Sequence, residues 1–94
     1  MEIKEIEVFS EMSNYAIVRM PGRHFPGCVI QGDSLSILLN NAEEVCSLAM
    51  RTGNEDLIGE ADALRESIED RLNYYESVLR EHGLDLPYFR PPKT

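Results

Sequence analysis

The sequence predicts an α+β domain: a three-stranded antiparallel sheet followed by a two-helix antiparallel hairpin packed on one of its faces. Three observations predict it. From Asn54 to His82, the apolar residues Leu57, Ala61, Leu64, Ile68, Leu72, Tyr75, Val78 and Leu79 recur at three- and four-residue steps, the helical period. Before residue 32 the apolar runs are short, rich in β-branched and aromatic residues, and separated by turn formers, as in strands. Between residues 33 and 52 a second helical period appears, divided from the first by Gly53 alone, and so short a link makes the helices antiparallel.

In chain order, Ile3, Ile6, Val8 and Phe9 mark an opening strand that breaks near residues 10–14. The run from Tyr15 to Met20 is the clearest strand, and the two read as a hairpin. Pro21-Gly22 and Pro26-Gly27 then bracket Arg23-His24-Phe25. Each pair suits a type II turn, in which Pro presets φ at one central position and Gly supplies positive φ at the next. Cys28-Val29-Ile30-Gln31 is the third strand.

Asp33 or Ser34 is placed to cap the first helix through a side-chain oxygen. Leu35, Leu38, Leu39, Ala42, Val45, Cys46 and Ala49 line its apolar face. Gly53 suits the left-handed residue that ends this helix, and Asn54 the cap of the next. The long helix, about 42 Å if regular, needs a surface on which to pack its stripe. Gly83 fits its stop, with Leu84 touching Leu79. Gly59 on its polar side implies a loose first turn or the close approach of another group. Residues 84–94, with three prolines, form an extended tail whose four large apolar residues are too many for a solvated end.

The 94 residues make a single domain with one core and little room for a deep cavity. No apolar run reaches the ~20 residues of a membrane span, and the charged N-terminus shows no secretory signal. Cys28 and Cys46 are therefore expected as reduced thiols in a cytoplasm. The net charge is −8, of which residues 54–82 hold −6. Such a balance disfavours nucleic acid and anionic membranes as partners, and favours a basic protein.

Glu55, Asp62, Glu69 and Glu76 recur every seven residues, flanked by Glu66 and Asp70. The ordinary role of such a stripe is a solvated face; the functional one is a docking face for a basic protein. The Arg23-His24-Phe25 tip, held between prolines, combines residue types that anchor interfaces, although Phe25 could instead fold back over the sheet edge. Tyr74 stands at the margin of the apolar stripe, either as boundary packing or as a contact. The candidate partner-binding residues are thus Arg23, His24, Phe25, Asp62, Glu66, Glu69, Asp70 and Tyr74.

No catalytic set or cofactor is expected. Gly32-Asp33-Ser34-Leu35 resembles the signature of the GDSL hydrolases, which activate such a serine with a histidine held by an aspartate. The Asp-x-x-His of that family is missing, since Leu79 stands three residues before His82, and the chain is far shorter than the family's α/β/α body. His24, Cys28, Cys46 and His82 contain no Cys-x-x-Cys or His-x₃₋₅-His pair, so no metal site is expected.

Two segments carry a further resemblance. Pro21-Gly22-Arg23-His24-Phe25-Pro26-Gly27 with Val29 to Leu35, and Glu81-His82-Gly83-Leu84-Asp85-Leu86-Pro87-Tyr88, together resemble a small uncharacterised bacterial family that joins the first motif to an acidic helical hairpin ending in the second. That family brings no assigned activity. In size and charge it is similar to the immunity proteins that bacteria pair with secreted toxins, which implies an antitoxin-type inhibitor acting by steric and electrostatic occlusion. The alternative is a structural homodimer whose long helices form a four-helix bundle.

Overall fold

The computed structural model describes residues 1–12 and 14–90. Its order is β1 (Glu7–Ser10), β2 (Tyr15–Arg19), β3 (Gly27–Ile30), α1 (Gly32–Thr52) and α2 (Glu55–Glu81). The strands form one antiparallel sheet in the order β1-β2-β3. This is the α+β architecture expected from the apolar periods.

Strand β1 is shorter than the apolar run implies. Residues 1–6 carry no regular structure, and Met1 and Ile3 are almost fully exposed. The ladder starts where Glu7 faces Arg19, an ion-paired couple with Arg19 also 5.5 Å from the centre of the Phe9 ring. A bulge between Val8 and Ser10 shifts the register before the turn.

The Pro21-Gly22 turn is as expected: Gly22 has φ +82°, and the Arg23 N–H donates to Met20 O at 3.1 Å. Pro26-Gly27 is not a second such turn. Gly27 lacks positive φ and is the first residue of β3, opposite Val18. Val29 faces Ala16, Cys28 faces Ile17 and Ile30 faces Tyr15.

Helix α1 starts without the expected side-chain cap. Gln31 holds the cap position, and its carbonyl accepts from the Leu35 N–H at 2.9 Å. Asp33 lies inside the first turn and accepts from the Ser34 N–H instead. Gly32 is the first helical residue, and the Tyr75 ring lies 2.2–2.3 Å from where a Cβ would stand, so only glycine lets that ring approach the helix start.

The link between the helices is as expected. Gly53 is left-handed, and Asn54 Oδ1 accepts from the Leu57 N–H at 3.1 Å. Helix α2 ends in a Schellman motif at Gly83 (φ +65°), where the Leu84 N–H donates to Leu79 O and the Gly83 N–H to Arg80 O. Gly59 fits neither expectation, for the helix is regular through it and nothing lies within 4 Å.

The core lies within the hairpin. Leu35, Leu39 and Leu72 are buried together, with Ile68, Tyr75 and Tyr88 packed against them. No strand residue belongs to this cluster, so the expected seating of the hairpin on the sheet is not its source of cohesion. Leu72 is the single large side chain fully shielded from water among the described residues. The surface is correspondingly large: 7688 Å², against about 5,500 Å² for a compact monomer of this mass. The radius of gyration is 16.3 Å, where about 12 Å is usual for this length.

Candidate protein-binding surfaces

Three surfaces take up the sequence-predicted residues. The first is the sheet with its 21–26 loop. Alternation along β2 sends Ala16 and Val18 to one face and Tyr15, Ile17 and Arg19 to the other. Pairing adds Val8 and Val29 to the first face and Cys28 and Ile30 to the second. Only Val18 is buried; Val8, Phe9, Tyr15, Met20, Val29 and Ile30 are between 38% and 56% exposed.

A shallow groove on the first face is lined by Val18, Met20, Arg23, Phe25 and Val29. Phe25 is 77% exposed, so it does not close that groove, and His24 packs edge-on against it at 4.6 Å between ring centres. Arg19 reaches across to the His24 carbonyl at 3.4 Å and ties the loop to β2. Strand β3 is an edge strand, and its four residues contain neither a charge nor a proline, the features that usually blunt such an edge.

The second surface is the acidic flank of α2, which the structure divides. Glu69 and Glu76 are drawn inward by the chain's own arginines and the tail. Arg90 Nη1 donates to Glu76 at 3.0 Å and to Asn73 at 2.9 Å, while its Nη2 lies 3.4 Å from Glu69. Tyr88 O–H donates to Glu76 at 2.7 Å. Burial, then that bond and the carboxylate charge, push the Tyr88 phenol well above its ordinary range. The tail therefore docks on its own chain as far as Arg90; residues 91–94 of the expected tail lie outside the described residues.

Arg65 bridges Asp62 at 2.9 Å and Glu69 at 3.2 Å. Its hydrogen bond with Asp62, with the two carboxylate charges, raises the guanidinium's already high pKa. Glu66 and Asp70 remain on the exposed face, as does Tyr74 at 73% exposure. Of the acidic candidates, Glu69 is thus an internal partner. Sequence reasoning missed Arg90 as the counterpart of Glu69 and Glu76, and Tyr88 as that of Glu76, because no local period links residues 12 to 21 positions apart.

The third surface is apolar and lies on the hairpin. Leu38, Val45 and Leu48 of α1 and Leu57 and Leu64 of α2 are 37–54% exposed, although all but Leu48 belong to the expected core stripes. Cys46 is half-buried, its Sγ 3.3 Å from the Ala61 carbonyl of the other helix, and Cys28 is exposed; both are free thiols.

Among the described residues no imidazole is hydrogen-bonded to Ser34, whose own N–H is held by Asp33. Among the same residues no group of three or more His, Cys, Asp or Glu side chains is placed to hold a metal ion. Among the described residues no helix is long and apolar enough to cross a membrane.

No curated protein and no solved structure matches this chain. A family model does, over residues 1–88, which span both the proline-framed loop motif and the motif that ends α2. The chain belongs to that family, a family of unknown function designated DUF6959.

Proposed function

We propose that this chain is an acidic protein-binding module that works by covering its partner, without a reactive centre of its own. The observation that carries the proposal is the uncovered sheet: six large apolar side chains at 38–56% exposure, a projecting Phe25 and an unblunted β3 edge. Met20, Phe25 and Val29 line one groove on the first face, and contiguous exposed apolar surface of this kind marks interaction sites. An edge strand free of charge and proline can accept a partner's strand through main-chain hydrogen bonds, with the neighbouring groove taking a side chain.

Charge narrows the partner to a basic protein. Glu66 and Asp70 remain exposed on a chain of net charge −8, and a surface of that sign speeds the approach of a cationic one. Occlusion of a basic toxin by an immunity- or antitoxin-type protein in the cytoplasm is the specific form of this proposal, supported by size, charge and the two free thiols. Arg23, His24, Phe25 and Tyr74 would act as anchors, with Asp62, Glu66 and Asp70 as the steering charges.

The test is affinity capture from a lysate of the source organism with the wild-type chain and with F25A and E66K/D70K variants as baits. The expected result is a basic protein retained by the wild type and released by salt. F25A should weaken its capture by tenfold or more, as for an anchor residue, and E66K/D70K should slow its association. Identical retention on all three baits, or none on any, overturns the proposal.

A further inference from the structure

The apolar flank of the hairpin calls for a different occupant. At about 100° per residue, Leu38 and Val45 stand roughly 70–90° to one side of the buried α1 line through Leu35, Leu39, Ala42 and Cys46, while Leu48, about 150° away, lies on the outer face. On α2, Leu57 and Leu64 stand roughly 60–80° from Leu72 in the same rotational sense. Because the helices are antiparallel, equal senses fall on the same side of the pair. Glu69 and Glu76 deviate in the opposite sense, and there the tail docks through Tyr88 and Arg90. One flank of the hairpin is therefore closed by the chain itself and the other is left open.

We propose that the open flank joins two copies of this chain into a four-helix bundle. Three observations favour a second copy. The first is area: the surface exceeds that of a compact monomer by about 2,200 Å². Part of the excess belongs to the exposed residues 1–6 and to the uncovered sheet, but about 800 Å² from each chain already makes a standard interface.

The second is charge. Two chains of net charge −8 repel, and they can meet only where carboxylates are absent. Leu38, Val45, Leu57 and Leu64, with Ala42 and Ala49 between the helices, supply such a strip; Glu60, on its outer side between Leu57 and Leu64, and Arg71, at the next seven-residue step, bound it. The third is depth. A helix pair burying one large side chain completely has half a core, and a second pair laid on the open flank supplies the other half. The open flank is separate from the partner-binding surfaces, which are the sheet with its loop and the exposed acidic face of α2.

The experiment is sedimentation equilibrium of the full chain from micromolar to millimolar concentration. The expected species has twice the 10.7 kDa chain mass. V45E and L64E should each weaken association by at least tenfold while circular dichroism keeps its helical signature. M50E, on the flank where the tail docks, should leave the dimer intact. Contacts between labelled and unlabelled wild-type chains, read by isotope-filtered NMR, should appear at the methyls of Leu38, Val45, Leu57 and Leu64. A monomer throughout, equal disruption by M50E, or intermolecular contacts confined to Val8, Val29 and Ile30 of the sheet would overturn the inference. The wild-type measurements decide it even where a variant fails to fold.

Discussion

A methyl group added at Gly59 meets nothing within 4 Å, and the residue lies on an exposed turn of a regular helix. Its cost is backbone entropy alone, so G59A should stabilise the fold by about 1 kcal/mol. In a domain of this size that raises the melting temperature by about 4–8 °C, measured at matched protein concentration. At Gly32 the same change is opposed by the Tyr75 ring at 2.2–2.3 Å, and G32A should cost about 1–3 kcal/mol through displacement of that ring. Tyr88 gives a pH signature. Its folded pKa lies above the ordinary value of 10.0, so the folded state keeps a proton that the unfolded state loses. The stability this adds is complete below about pH 10 and disappears as pH rises through the folded value. In an alkaline titration followed by tyrosinate absorbance, Y88F should remove the final step, the rise that lies above the ordinary range. A final step unchanged by Y88F would contradict the Tyr88–Glu76 bond.

At the scale of elements, the tail behaves as a strap over α2. Arg90 holds Asn73 and two carboxylates with a side chain 20% exposed, and Tyr88 enters the core cluster. R90M keeps the aliphatic stem and removes the charged bonds, which should cost about 1–2 kcal/mol after solvent screening. Amides 84–90 should then exchange faster while those in the middle of α2 do not; uniform acceleration would instead mean that the strap and helix open as one. This strap marks the limit of what was legible in the sequence. Elements whose cause is local were legible: the Asn54 cap, the left-handed Gly53 and Gly83, and the Pro21-Gly22 turn each depend on residues within four or five positions. Pro26-Gly27 carried the same local signal, but pairing of Gly27 with Val18 overrode it. The α1 cap at Gln31 was missed because it makes no side-chain hydrogen bond, and the Tyr75 ring against Gly32 comes from far along the chain. Of the candidate site, Arg23, His24, Phe25 and Tyr74 are exposed, an outcome their residue types left open for Phe25 and Tyr74. Period placed Glu69 in the seven-residue stripe with Glu66 beside it, but not the inward turn of Glu69, which depends on the tertiary placement of Arg90.

The whole molecule is built around a core narrower than its apolar content. Sheet and hairpin each keep an apolar surface that the other does not cover, and the carboxylates are concentrated elsewhere. This separation predicts opposite responses to salt. Two like-charged chains meeting at the Leu38–Leu64 flank repel over long range, and the apolar contact itself is insensitive to salt. Raising ionic strength from 0.01 to 0.1 M shortens the screening length from about 30 Å to about 10 Å, so self-association should strengthen by several-fold. Capture of a basic protein by the same chain should slow over that interval, because its attraction is screened by the same ions. Sedimentation of the chain alone and association kinetics with the captured partner, run in one salt series, measure the two trends together. Salt-weakened self-association would place ion pairs, not the leucine flank, between the copies. Salt-independent capture would remove the acidic face from partner recognition and leave the sheet and its Phe25 loop as the whole of that site.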